Sequence, residues 1–600
     1  MPLTFVIGIF VHVTVNSDLA FMLNIKHRNT DSNLDDLIID HPIIKRIYAG
    51  RGLTSNAELK RSAAELLPIS SMKGIPEANH VLFQALAKQK RITIVGDFDA
   101  DGATSTALMV LGLRKLGFSH VDYKVPNRFE YGYGLSTQLA ADVIRDGADL
   151  VITVDNGISC LPGVQMLKDA GIEVIVTDHH LPGKESPSAD AIVNPNQIGC
   201  EFASKNLAGV GVAFYLLLAF RTHLRQQNWF AQHSIPEPNL AEFIDLVALG
   251  TVADVVPLDS NNRILVHQGL ARIKKGICRP GIQAMMKMAN KDLNKAKSSD
   301  FGFVIGPRLN AAGRLDDMSY GIRCLLTEDH GQALRMAEDL NSLNNERKEI
   351  EQGMRVEAEA AVNTISITSG NLPNGICVYQ PDWHQGVIGI VAGRVKDKYY
   401  RPTVAFAQGD QNADGDYELK GSARSIQGIH IRDVLDEVNT QNPGVIIKFG
   451  GHAMAAGLTI NGAKLEIFKQ AFANIVEKYL TEEVSTQVTL TDGSLPSEYL
   501  TLEFCQQLDL AGPWGQGFAE PCFDDEFEII SHRLVGGKHL KLVLTNSDGL
   551  VIDGIHFNAD LNIWPDANIQ KAHLVYQLDV NEFRGNTNLQ LIVREIEPIS

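Results

Sequence analysis

The stretch Arg91-Ile92-Thr93-Ile94-Val95-Gly96-Asp97-Phe98-Asp99-Ala100-Asp101-Gly102 decides the fold. A short β-branched run enters a glycine-aspartate turn, and a helical pattern follows at Ala103–Leu116. The rhythm recurs at Val121–Val125, Leu150–Val154, Glu173–Thr177 and Ala191–Val193, with helical patterns at Ser136–Asp146 and Leu161–Ala170, the last stopped by Gly171. Strands alternating with helices in this way predict a parallel sheet.

In such a sheet the ligand site lies beyond the carboxyl ends of the strands. Here those ends are acidic. One runs into Asp97, Asp99 and Asp101, the next into Asp155-Asn156-Gly157, and a third into Asp178-His179-His180. Five aspartates and two histidines on one rim would repel one another unless a divalent cation compensates them. Hard carboxylate oxygens with one or two imidazoles suit Mn²⁺ or Mg²⁺, with Zn²⁺ a lesser alternative. So many ligands can hold two ions about 3.5 to 4 Å apart under a shared carboxylate. Taken singly, Asp101 or Asp155 also reads as a helix cap.

Working outward, Gly209–Gln227 and Leu240–Leu249 read as buried helices, the second leading into Thr251-Val252-Ala253-Asp254. Apolar residues at helical spacing from Leu334 to Met354 predict a long connecting helix. The cluster Ser369-Gly370-Asn371-Leu372-Pro373-Asn374-Gly375 opens a second α/β unit that runs to about residue 480. Five strand patterns follow, at Phe527–Val535, His539–Thr545, Leu550–Phe557, Leu574–Val580 and Leu589–Ile596, with a turn at Gly585-Asn586. They predict a small barrel such as an OB-fold.

The chain has 600 residues, enough for roughly four domains at about 150 each. Apolar residues at 44% and charged residues at 21% describe a folded chain and exclude disorder as the main state. A formal charge of -17 argues against holding nucleic acid by bulk positive charge. From Arg263 to Arg314, however, eleven Lys or Arg residues stand against Asp292 and Asp300 alone, a local charge of +9 that reads as a solvated face or as a polyanion contact. Seven cysteines without a CxxC pair point to a reduced, cytoplasmic setting. No apolar run reaches the length of a membrane span, and Pro2–Val15 lacks the basic flank of a secretory signal. Met22 is a plausible alternative start.

Taken in order, GDFDADG, VDNG (Val154–Gly157), DHH (Asp178–His180), TVADVVPL (Thr251–Leu258), NAAGR (Asn310–Arg314), GSAR (Gly421–Arg424) and GGHAMAAG (Gly450–Gly457) resemble the motifs of the DHH/DHHA1 phosphoesterases. Within that family the chain is similar to the gamma-proteobacterial type of single-strand-specific 5′ to 3′ exonuclease of recombination and repair. The resemblance covers about residues 40 to 600. It implies an α/β fold of N-terminal extension (1–40), DHH catalytic domain (41–325), connecting helix (326–368), DHHA1 domain (369–484) and OB-fold domain (485–600). It further implies two divalent cations, Mn²⁺ or Mg²⁺, held by Asp99, Asp101, Asp155, His179 and Asp254. Asp155 would bridge them, and Asp97 would stand where shorter relatives carry a histidine. Asp178 would orient a histidine from behind, and His180 would face the scissile phosphate.

For substrate, the loop Pro126–Gly134 lies on the metal rim, where Arg128 can fork onto a phosphate and Tyr131 can stack on a base or sugar. The plainer reading of its rings is inward packing. Ser422, Arg424 and His452 are expected to grip phosphates from the DHHA1 side, with Arg314 a further contact. Alone, GGHAMAAG reads equally as a turn with a core histidine. His384 opens the expected helix Gly386–Lys396 and reads as a cap. The implied partners are single-stranded DNA, a single-strand-binding protein and a helicase, with no membrane and a monomeric state. Two other readings compete: a phosphatase or short-RNA nuclease, whose members lack the barrel, and an inactive helicase scaffold, which lacks the motif aspartates.

Overall fold

The computed structural model describes residues 23–30, 37–369, 371–411, 417–561, 563–566, 568–583 and 585–599. The expectations placed on residues 1–22 lie outside them. The chain forms two compact units. The larger comprises Thr54–Thr486 with Ala511–Glu520, and the smaller comprises the described residues up to Leu53, then Gln487–Leu510 and Pro521 onward.

The first strand, β1 (Ile25–His27), belongs to the smaller unit. The larger unit opens with β2 (Ile92–Val95), β3 (Val121–Lys124), β4 (Leu150–Val154), β5 (Glu173–Thr177) and β6 (Ala191–Val193), all parallel, in the order β3-β2-β4-β5-β6. The reversal of order between β2 and β4 puts the switch point beside Asp97 and Asp155. β2 and β4 are buried throughout, which is why they read as unbroken β-branched runs. Helix Ala100–Lys115 begins directly after Asp99 and is buried over most of its length. Ser136 and Asp99 cap the helices that follow β3 and β2 through side-chain oxygens.

The expected helix Leu240–Leu249 begins instead as a 3₁₀ turn at Leu240–Phe243, and the α-helix spans Ile244–Ala253 with Asp254 as its C-cap. Thr251–Ala253 are therefore helical. The connecting helix runs unbroken from His330 to Ser369. Ala333, Ala337 and Leu340 are buried near its start, while Met354, Ala358 and Val362 pack on Val378, Ile388 and Val391 of the second α/β region.

That region holds β7 (Ile376–Tyr379), β8 (Thr403–Gln411), β9 (Tyr417–Arg424), β10 (Ile446–Gly451) and β11 (Ala455–Asn461), in the order β10-β11-β9-β8-β7. Only β7 and β8 pair in parallel. The helix expected from Gly386 starts at Ile388 and ends at Tyr399, with His384 Nδ1 accepting from the Gly386 N–H at 3.1 Å.

In the smaller unit β1 pairs with β12 (Thr489–Thr491), so residues 25–27 of the expected extension are tied into a sheet. A three-residue strand leaves no periodic trace in sequence. Buried Asp492 then pairs with Arg51 and sits 3.9 Å from Arg28. The barrel closes as expected in the order β13-β14-β15-β17-β16, from β13 (Phe523–Val535), β14 (His539–Thr545), β15 (Val551–His556), β16 (Lys571–Phe583) and β17 (Asn586–Ile599). Phe523, Phe527, Leu542, Leu574 and Leu591 fill it, and Gly585 turns the last hairpin at φ +82°.

Candidate metal centre and phosphate cleft

Three strand ends and one helix end converge. Asp97 follows β2, Asp155 follows β4, Asp178 follows β5, and Asp254 ends helix Ile244–Ala253. Asp155 sits at φ +61°, a left-handed conformation that aspartate tolerates better than branched residues. The potential ligand atoms fall into three groups, each within 4.8 Å: Asp97, Asp99 and Asp155; Asp101, His179 and Asp254; Asp155, His179 and His180. Asp155 is common to the first and third. His179 Nε2 lies 3.1 Å from Asp155 Oδ1 and 3.5 Å from Asp254 Oδ2.

The electrostatics are those of a cation site. Asp97 Oδ1, Asp155 Oδ1, His179 Nε2 and Asp254 Oδ2 are buried without a hydrogen bond. A buried polar group left so costs about 1–3 kcal/mol. Burial, then the charge of Asp99, pushes Asp97 well above the carboxylate range. Burial followed by Asp101 does the same to Asp155 and Asp254. Burial and Asp99 raise Asp101 to about 7. Burial and then His180 lower His179 to about 4, so its ring is neutral and able to ligate. Oxygen-rich donors with one neutral imidazole fit Mn²⁺ or Mg²⁺.

The surrounding chain fixes these groups. Asp99 Oδ1 accepts from the Asp101 and Gly102 N–H groups at 2.9 and 3.0 Å. Asp101 accepts from the N–H groups of Gly209 and Val210, which open helix Gly209–Gln226, at 2.6 and 3.0 Å. Glycine is required at two places around it. A Cβ on Gly209 would lie 2.5 Å from Asp155 Cβ, and one on Gly250 would lie 2.8 Å from Asp101 Oδ1. Asp178 accepts from His180 Nδ1 at 2.7 Å and from the Ile158 N–H at 2.9 Å. Burial would raise its pKa, but the His180 bond and charge hold it below the usual value. That partner likewise outweighs burial at His180 and raises it. The histidine that Asp178 orients is thus His180.

Arginines flank the acids. Arg128 lies with its guanidinium carbon 4.1 Å from the centre of the Phe98 ring, lowered by burial against the opposing pull of Asp97 and Asp99. Arg314 donates to the Gly386 carbonyl at 2.9 Å, and burial, then Arg128 and Arg424, push it down to about 10. Arg424 Nη1 donates to Ser422 Oγ at 3.0 Å and to the Ala423 carbonyl at 2.8 Å. The charges of Arg128 and Arg424 thus both act on Arg314, an arrangement that an anion would relieve. His452 follows Gly451 (φ +149°) and faces His180, with ring centres 6.1 Å apart and planes 19° from parallel.

Tyr131 is the expected residue that stays away. Its hydroxyl donates to Asp142 at 2.8 Å, because the glycines at 132 and 134, both at positive φ, turn the loop between the two tyrosines. Tyr133 takes its place, with its hydroxyl 3.4 Å from His180 Nε2 and donating to the Asp155 carbonyl at 3.3 Å. The basic segment is not one stripe: Arg263, Arg279 and Arg308 donate to backbone carbonyls. Lys275, Lys287 and Lys291 line a separate groove of about 680 Å³. Missed in sequence were Asn310, which accepts from the Ala100 N–H at 2.8 Å, and Asn194 and Asn196, which donate to the His180 and His179 carbonyls at 2.9 and 2.6 Å. The signal available for the last two was Asn-Pro-Asn just past β6, on the same rim.

Parallel-sheet aspartates and a DHH triplet, with a second α/β region supplying arginine across a cleft, define a DHH phosphoesterase. Family models match accordingly: DHH family, N-terminal domain, over residues 91–251; DHHA1 domain over 373–480; and RecJ OB domain over 491–595. The chain is 51% identical to the single-stranded-DNA-specific exonuclease RecJ of Escherichia coli K12, over 96% of this chain and 99% of that one. It is 52% identical to RecJ of Haemophilus influenzae, over 94% and 97%. It is similar to the crystal structure of RecJ in complex with Mn²⁺ from Thermus thermophilus, at 29% identity and a TM-score of 0.75, over 93% of this chain and 76% of that one. The chain belongs to the RecJ family.

No helix among the described residues is long and apolar enough to cross a membrane.

Proposed function

We propose that this chain is a two-metal phosphodiesterase that degrades single-stranded DNA from the 5′ end to mononucleotides. The observation that carries this reading is the placement of Asp155, which shares one group of potential ligands with Asp97 and Asp99 and lies 3.1 Å from His179 of the group that holds Asp101 and Asp254. The RecJ relatives are single-stranded-DNA-specific exonucleases, and RecJ structures have been solved in complex with Mn²⁺ and with Mg²⁺.

Asp97, Asp99 and Asp155 would hold one cation, and Asp101, Asp155, His179 and Asp254 the other. Bound there, the ions neutralise phosphoryl charge and make a water more acidic. The protein's own groups do the rest. His180, donating from Nδ1 to Asp178 and raised by that carboxylate, would as an imidazolium offer a second proton from Nε2 to a phosphoryl oxygen. Arg128, Ser422 and Arg424 seat the terminal phosphate, whose extra charge distinguishes an end from an internal diester. Arg314 and His452 hold the strand from either side. Hydrolysis at two metals is indifferent to strand direction, so polarity resides in the phosphate seat.

The same reading makes the protein a cytoplasmic monomer in recombination, recombinational repair and mismatch repair, supplied with substrate by a helicase and a single-strand-binding protein. Family membership alone supports these roles. The test is incubation of 5′-labelled single-stranded DNA, duplex DNA and short RNA with Mn²⁺ or Mg²⁺, resolving product sizes. Mononucleotides released only from single-stranded DNA are expected. Preferential cleavage of short RNA would overturn the reading.

A further inference from the structure

Helix Ile244–Ala253 delivers Asp254 to the cluster, and two backbone irregularities meet at that end. Val255, the next residue, has φ +64° and is 61% exposed. A β-branched side chain holds this conformation only under constraint from its surroundings. Against the same helix end lies the turn Phe301–Ile305, which is π-helical. A Cβ on Gly302 would stand 3.8 Å from Val252 Cγ1, and one on Gly306 would stand 3.3 Å from Ala253 Cβ. Phe303, between them, is 83% exposed. Single π-turns are rare and concentrate at functional sites.

The helix that continues from this turn, Gly306–Leu315, runs beside the metal centre. Asn310 accepts from the Ala100 N–H between Asp99 and Asp101, and Arg314, which donates to the Gly386 carbonyl, is one of the arginines proposed to hold the strand. At about 1.5 Å per helical residue, Phe303 stands about 10 Å before Asn310 along this axis. A lone exposed phenylalanine needs no explanation. Here two irregular segments abut at a ligand-bearing helix end and both turn an apolar side chain to solvent.

We propose that Phe303, with Val255 near the same helix end, forms a platform on which a nucleobase of the bound single strand stacks. This rests on the single-strand reading above. Unpaired bases present a π-face whatever their sequence, and an aromatic ring captures that face without reading the base. Phe303 lies on the same helical run as Arg314, eleven residues or about 16 Å before it along the axis, and a strand held at Arg314 can span that distance, which favours a nucleic acid over a protein partner as the occupant. Val255 contributes apolar contact and Phe303 contributes the ring.

The test uses the full chain in metal-free buffer, where strands bind without being cleaved. Single-stranded oligodeoxythymidylates carrying one abasic site, moved stepwise from the 5′ end, are titrated against the parent, Phe303→Ala, Phe303→Leu and Phe303→Trp. The parent should lose affinity when the abasic site occupies one particular position. Phe303→Ala should bind the intact strand about 5- to 100-fold more weakly and lose that positional dependence. Phe303→Leu should resemble Phe303→Ala, whereas Phe303→Trp should restore binding and show fluorescence quenching by the strand. Melting temperature and Mn²⁺ titration check that fold and cluster survive. Parent-like affinity and abasic profile in Phe303→Ala or Phe303→Leu would overturn the inference and leave the ring to a protein partner. Failure of the parent to cleave single strands in Mn²⁺ would overturn the functional reading, and this inference with it.

Discussion

Asp101 Oδ2 lies 2.6 Å from the backbone nitrogen of Gly209, so a candidate metal ligand is also the anchor of a helix N-terminus. The same glycine packs against Asp155, where an added Cβ would stand 2.5 Å from Asp155 Cβ. Gly209→Ala should therefore displace two ligands at once. We expect Mn²⁺ affinity, read by calorimetric titration, to fall about 10- to 100-fold, as when a ligand loses its outer support. Unchanged affinity would show that the cluster tolerates the movement.

Asp101 is raised to about 7 by burial and Asp99. The metal-free folded state therefore holds a proton that the unfolded chain releases near pH 4. Because the native state binds more protons across that window, stability falls as pH rises from about 4 to about 7. Thermal melts in EDTA should show this decline, and stabilisation by Mn²⁺ should be larger at pH 8 than at pH 5. An equal Mn²⁺ effect at both would contradict it.

Asp155→Ala removes the carboxylate common to two ligand groups. Single-strand cleavage should drop by at least about 100-fold, beyond the range for an outer partner, with an unchanged far-UV spectrum. Metal titration should also show fewer ions bound. Near-parental turnover in Mn²⁺ would remove the shared-ligand arrangement.

Tyr131 and Tyr133 should separate cleanly. Tyr131→Phe loses only a surface contact with Asp142 and should keep kcat/KM within about twofold. Tyr133→Phe loses the hydroxyl beside His180 and Asp155 and should lower kcat/KM by about 3- to 10-fold. The reverse ranking in steady-state assays would mean that the loop rearranges when substrate enters.

Arg424→Ala should raise KM for 5′-phosphorylated strands while sparing Mn²⁺ binding. Its effect and that of removing the 5′ phosphate should be less than additive, since each removes the same contact. A variant that still distinguishes 5′-phosphate from 5′-hydroxyl ends as the parent does would place the anchor elsewhere.

The strands carrying the acidic motifs were legible because each is a buried β-branched run ending in Asp, and a parallel sheet fixes where such ends meet. Asp254 was harder to place, since it caps a helix whose continuation through Thr251–Ala253 has no stop signal. Tyr131 and Tyr133 are alike in sequence, and only the positive-φ glycines at 132 and 134 decide which hydroxyl reaches His180 and Asp155. The basic run from Arg263 to Arg314 was legible only as a sum of charges. Counting charge does not reveal that Arg263, Arg279 and Arg308 spend their donors on carbonyl groups. Asn310 was hidden because its partner, the Ala100 N–H, is 210 residues away.

The uninterrupted helix from His330 to Ser369 ties its early residues to one half of the cleft and its later ones to the other. A single inserted residue would turn everything beyond it by about 100° and advance it by about 1.5 Å. Arg424 would then swing out of alignment with Arg128 and Arg314. The angular phase between the candidate metal centre and the proposed phosphate seat is thus written in the residue count of one rod, so length changes there should be tolerated far less than substitutions on its solvent side.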